Sequence, residues 1–186
     1  MITIVQLWVP ILLSAFLVFV TSSLVHMVFK WHRFDYHKLP NEDEVRAVIR
    51  KGNPTPGQYL MPHCTDHSHM KDPAFQQKYI EGPVGLVTLM PSGLPQMGPM
   101  LGKWFVFNVF ISFFAAYVSS RTLATGTDYL HVFQITGAVA WIAYGGATVP
   151  GSIWMGKPWS NTARELFDAL LYGMVTGGAF GWLWPR

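Results

Sequence analysis

MITIVQLWVPILLSAFLVFVTSSLVHMVF, residues 1–29, holds no Asp, Glu, Lys or Arg. A hydrocarbon core about 30 Å thick takes roughly 20 helical residues to cross, so this stretch spans with some tilt to spare. A secretory leader would begin with a basic region, carry a shorter apolar stretch and end in a small-residue cleavage site. None of these features is present, and the block reads as a retained transmembrane helix over about residues 4–29.

Outward from this block the same pattern recurs. Trp104 to Ser120 and Tyr129 to Val149 are apolar and joined by the short polar segment Arg121 to Asp128, which suits an antiparallel helical hairpin. Pro150 and Gly151 are expected to close the third helix, because proline cannot continue it and glycine tolerates the turn. A fourth apolar block covers about Leu166 to Trp184. Gly82 to Gly102 is also uncharged and long enough, but Pro83, Pro91, Pro95 and Pro99 argue against a fifth crossing. Each interior proline costs a helix about 3 kcal/mol, and lipid supplies no water to repair the lost hydrogen bond. The expectation is an all-α integral membrane protein, one membrane domain over residues 1–186, with four transmembrane helices at about 4–29, 104–120, 129–149 and 166–184. Composition agrees, since 51% of the side chains are hydrophobic and only 12% charged, half the charge of an ordinary soluble domain.

Orientation follows from lysine and arginine, which are retained on the cytoplasmic side. With four spans, all of the 13 Lys and Arg except Arg121 and Arg186 fall on one side. The long loop 30–103 is therefore expected in the cytoplasm and both termini outside. Trp8, Trp182 and Trp184 near one boundary and Trp31, Trp104, Trp154 and Trp159 near the other fit the headgroup preference of indole. The single Cys64 has no partner for an internal disulfide, in keeping with a reducing compartment. Within the loop, Asn41 and Glu44 match a capping box for a short helix through about Lys51, ended by Gly52. A second helix is expected from Pro73 to Glu81, with GNPTPGQYLMP between them as turn or extended chain.

Four features bear on chemistry. The run MPHCTDHSHM places His63, Cys64, His67 and His69 together, and imidazole with thiolate is the usual ligand set of zinc and copper. Met61 and Met70 add soft thioethers, and His32 and His37 are candidates for a second ligand cluster. His26 and His131 lie in apolar helices, where a histidine can hold a haem or chlorin. Their expected places near opposite ends of the bilayer prevent both from clamping one haem. Asp168, one turn inside the fourth helix, has Arg164 four residues earlier on the same face, which favours a local ion pair. Last, Gly173, Gly177 and Gly181 form a small-residue stripe that admits close helix approach in lipid. Asn108, Ser112, Ala116 and Ser120 form a comparable row on the second helix. No P-loop, GxGxxG or Ser/His/Asp constellation points to soluble enzymology, and no feature points to nucleic acid.

The segments PGQYLMP, KDPAFQQKYIEGPVG, IWMGKPW and DALLYGMVTGGAFGWLWP resemble those of small four-helix bacterial membrane proteins of unknown function. The resemblance covers most of the chain from about Leu39 and implies a four-span fold in a bacterial inner membrane. It implies no catalytic residue. Together these readings lead to the expectation of a non-catalytic accessory or stabilising subunit, surrounded by lipid and by other membrane-protein subunits. The alternative is a membrane protein that binds zinc or copper through the His63–His69 run.

Overall fold

The computed structural model describes residues 2–186, the side chain of His67 excepted. In chain order the helices are α1 (Trp8–Met27), α2 (Glu42–Gly52), α3 (Pro73–Glu81), α4 (Met97–Thr122), α5 (Tyr129–Gly145), α6 (Val149–Trp154) and α7 (Trp159–Trp182). Two strands, β1 (Gly57–Met61) and β2 (Gly85–Leu89), pair antiparallel with Gly57 opposite Leu89 and Met61 opposite Gly85. The chain forms two compact units, one of Met1–Asp35, Gln96–Ser152 and Lys157–Arg186, the other of Tyr36–Pro95 with Ile153–Gly156.

The first unit is a ring of four long helices: α1 packs on α4 and α7, and α5 joins α4 to α7. Ile4–Met27, Met97–Thr122 and Tyr129–Trp154 are long and apolar enough to cross a membrane. Helix α7 is as long, but Arg164, Glu165 and Asp168 fall in its first turns. The distribution of side chains is that of a membrane protein. Buried positions hold small and hydroxylated residues, among them Ser14, Ser22, Ser112, Ser119, Thr136 and Thr176. The outside of the helices carries Leu12, Phe16, Phe107, Phe110, Phe114 and Ile142. Several inner hydroxyls donate to their own helix, as Ser14 does to the Ile11 carbonyl and Thr136 to that of Val132, or meet across helices, as Ser14 and Ser112 do at 3.0 Å, while those of Ser119 and Thr176 have no partner among the described residues. A polar side chain satisfied in this way can sit at a helix contact without the cost of an unpaired group in hydrocarbon.

Helix boundaries depart from the sequence expectation at two prolines. Helix α4 begins at Met97, before Trp104, because Pro99 falls in its first turn, where the missing N–H would have no partner anyway. The third helix does not stop at Pro150. A 3-10 turn at Gly146–Thr148 resets the hydrogen bonding, and α6 resumes with Pro150 as its second residue. At the far end of the bundle Leu7, Ile11, Ala116, Val132, Phe180 and Trp184 form an apolar core. There the Trp184 indole donates to the Ala124 carbonyl at 2.9 Å, and the Gly126 N–H to that of Pro185 at 2.9 Å.

The second unit contains α2, α3 and the hairpin. Asn53 takes a left-handed conformation (φ 45°) that ends α2, while Asp72 caps α3 by accepting from the Ala74 N–H, with Pro73 at the first helical position. Asn41 precedes α2 without a side-chain capping bond. GNPTPGQYLMP includes β1, so the extended half of the turn-or-extended reading is paired, and its partner β2 comes from the proline-rich 82–102 stretch. Among the described residues of this unit none is buried.

Candidate functional site

Just past the last turn of α1 the chain makes a 3-10 turn at Trp31–Phe34, which brings Trp31, His32 and Asp35 against the first turns of α7. His32 lies between two carboxylates: Nδ1 is 2.6 Å from Asp35 Oδ2 and Nε2 is 2.6 Å from Asp168 Oδ2. The Trp31 indole N–H donates to the other Asp168 oxygen at 3.1 Å. Arg164 donates through Nε to Asp35 Oδ1 at 2.7 Å and through Nη2 to Asn161 Oδ1 at 2.8 Å. Asn161 in turn donates to the Asp35 carbonyl at 3.0 Å. Two acids and two bases thus close one polar network, with Asp168 only 4% exposed.

Carboxylate oxygens accept, so both ring nitrogens of His32 donate and the ring is cationic. Burial works against that charge, but the hydrogen bonds to Asp35 and Asp168 and their charges outweigh it and raise the His32 pKa. Burial likewise opposes ionisation of Asp35, and the hydrogen bonds from His32 and Arg164 overcome it and hold its pKa below the usual carboxylate value. His26, in the last turn of α1, holds its ring centroid 4.7 Å from that of His32 at a tilt of 37°, yet the ring forms no hydrogen bond among the described residues. One ligand atom each from His26, His32 and Asp168 lie within 4.8 Å of one another.

The remaining candidates are distributed as follows. Arg164 and Asp168 share a helix face but take different partners, Asp35 and His32, because the turn after α1 delivers a carboxylate and an imidazole between them. His131 sits in the first turn of α5, its backbone N–H held by Asp128, at the Leu7–Trp184 end of the bundle and opposite His26. His63, Cys64 and His69 are on the segment after β1, where the Cys64 thiol donates to the Asp66 carbonyl at 2.9 Å. Among the described residues they belong to no three-ligand group, and the side chain of His67 lies outside those described. Gly173, Gly177 and Gly181 line the seam of α7 with α5, facing Gly137, Phe133 and Tyr129. Asn108 is buried and accepts from Tyr144, and Ser112 meets Ser14.

In the second unit α2 and the hairpin form an open apolar groove of about 900 Å³, lined by Val45, Val48, Ile49, Leu60, Val87 and Leu89 among others. Sequence reading missed both the groove and the His32 network. The alternation of β1 and β2 is short and hemmed in by flanking prolines, and His32 and Asp168 are 136 residues apart. No protein-family model, no curated protein and no solved structure matches this chain.

Proposed function

We propose that this chain is a non-catalytic accessory or stabilising subunit of a larger complex in a bacterial inner membrane, with α7 as a fourth span and both termini on the outer face. The observation that carries this reading is the unfinished core of the second unit. It has two helices and a hairpin, yet none of its described residues is buried, and Val48 on the groove-lining face of α2 is 72% exposed. Apolar side chains left in water gain about 25 cal/mol for each Å² that a partner covers, and grooves of this kind commonly seat an apolar segment of another protein. The unit is inserted in the chain between α1 and α4, both long and apolar enough to span, so a partner held in the same membrane is the one that meets it most readily. The occupant is therefore an apolar segment of another membrane subunit.

Gentle detergent extraction is expected to yield a particle well above the chain's own 20.9 kDa, and Val48→Asp to release the chain from it while leaving the melting of the helical bundle unchanged. Recovery of the unsubstituted chain as a lone monomer, or binding of the groove to protein-free vesicles with no loss of particle on Val48→Asp, would sink the reading. The basic residues of the 30–103 segment support the orientation. A reporter fused after Arg186 should be active outside the cytoplasm, and an impermeant thiol reagent should leave Cys64 unlabelled in intact cells; labelling there would reverse it.

A further inference from the structure

We propose that His26, His32 and Asp168 bind a divalent first-row transition ion at the end of α1. Two imidazoles and one carboxylate form a borderline nitrogen and oxygen donor set. It suits zinc and its neighbours better than Cu(I), which prefers sulfur, or calcium and magnesium, which prefer oxygen alone. Such a set leaves a coordination position open to water, as three-ligand zinc sites do.

The atoms that would not touch the ion are already held. Nδ1 of His32 donates to Asp35, which fixes the ring and directs Nε2 at the site, and the second oxygen of Asp168 accepts from Trp31. Outer partners of this kind orient ligands and raise their basicity. Asp35 is itself fixed by Arg164 and by no ligand other than His32. His26 gives a separate argument. It lies within reach of the other two donors, on the rim of the network, and has no hydrogen bond among the described residues; an ion would be its partner. The carbonyl end of α1 also favours a cation there.

Ligands at 2.0–2.1 Å in a tetrahedron are about 3.3 Å apart. The His32 Nε2 to Asp168 Oδ2 contact of 2.6 Å would open by less than about 1 Å, and His26 would turn inward. Coordination replaces the proton on Nε2, which leaves to solvent.

The test uses the full chain, purified in detergent, stripped with chelator and titrated with zinc or with cobalt(II), whose visible bands report nitrogen and oxygen ligation at low coordination number. One equivalent is expected to bind. His26→Ala lies outside the hydrogen-bonded network, so it should melt like the unsubstituted metal-free chain and lose the cobalt bands. Asp168→Asn, which keeps the shape of the side chain, should also lose them. Asp35→Asn should weaken binding about 10–100-fold. A triple variant His63→Ala, Cys64→Ser, His69→Ala should bind as before. Absence of stoichiometric binding, full binding by His26→Ala, or loss of binding only in the triple variant would each overturn the site. None of these outcomes depends on whether the second unit has a partner.

Discussion

Gly177→Leu will force α5 and α7 apart and lower the stability of the bundle by about 3 kcal/mol or more, the upper range for overpacking. A Cβ at this position would stand 2.6 Å from the Phe133 carbonyl oxygen and 3.3 Å from the Gly137 Cα, so the obstruction is main chain and has no rotamer in which to escape. Gly173 has the same constraint, with the Gly137 carbonyl 2.8 Å away. Gly178, the next residue, meets nothing nearer than the Tyr129 hydroxyl at 3.7 Å. Gly178→Ala should therefore be neutral or slightly stabilising, through the better helix propensity of alanine. Melting in detergent separates the two variants. Equal melting would mean that the α5–α7 seam is not a close contact.

The second large effect is at Asp168. Asp168→Leu removes the acceptor of both Trp31 and His32 and leaves a cationic ring with one carboxylate instead of two. Removing one partner of a buried ion pair costs roughly 3 kcal/mol or more, because the remaining charge is left without compensation. Asp168→Asn retains an oxygen for Trp31 and should cost about half as much, closer to the 1.5–3 kcal/mol of a charged hydrogen bond. The ordering is measured by resistance to sodium dodecyl sulfate or by thermal melting of metal-free protein. If leucine is tolerated as well as asparagine, the network contributes no stability.

The helices were legible in the sequence because lipid leaves a chain few options. A segment that crosses it must satisfy its own backbone, and the apolar blocks are long enough to show where. The stripe Gly173, Gly177, Gly181 was legible for the same reason, as a repeat of four on one face. What it packs against was not: Tyr129, Phe133 and Gly137 also recur every four residues, but two of the three are bulky and mark no small-residue face. The Arg164 to Asp168 interval suggested an ion pair within α7. The observed pairing depends on a 3-10 turn at Trp31–Phe34 that local pattern does not reveal, and on contacts more than 100 residues apart in the chain. The β1–β2 pairing was hidden by the prolines and glycines around each strand, which read equally well as turn, and by α3 lying between them in the chain.

Bulky residues outside and hydroxyls and glycines inside have an effect on how this protein can diverge. In a water-soluble domain the interior drifts slowly and the surface freely, with polarity as the surface constraint. Where lipid covers the exposed Phe16, Phe110, Phe114 and Ile142, it reads only greasiness, and each can exchange with any large apolar residue at little cost. The seam of α5 and α7, by contrast, has room for little more than a hydrogen atom at Gly173 and Gly177. Lineages of this chain should thus part company first on their outer faces, in residue identity though not in character, while the thin line of small residues between the helices stays put.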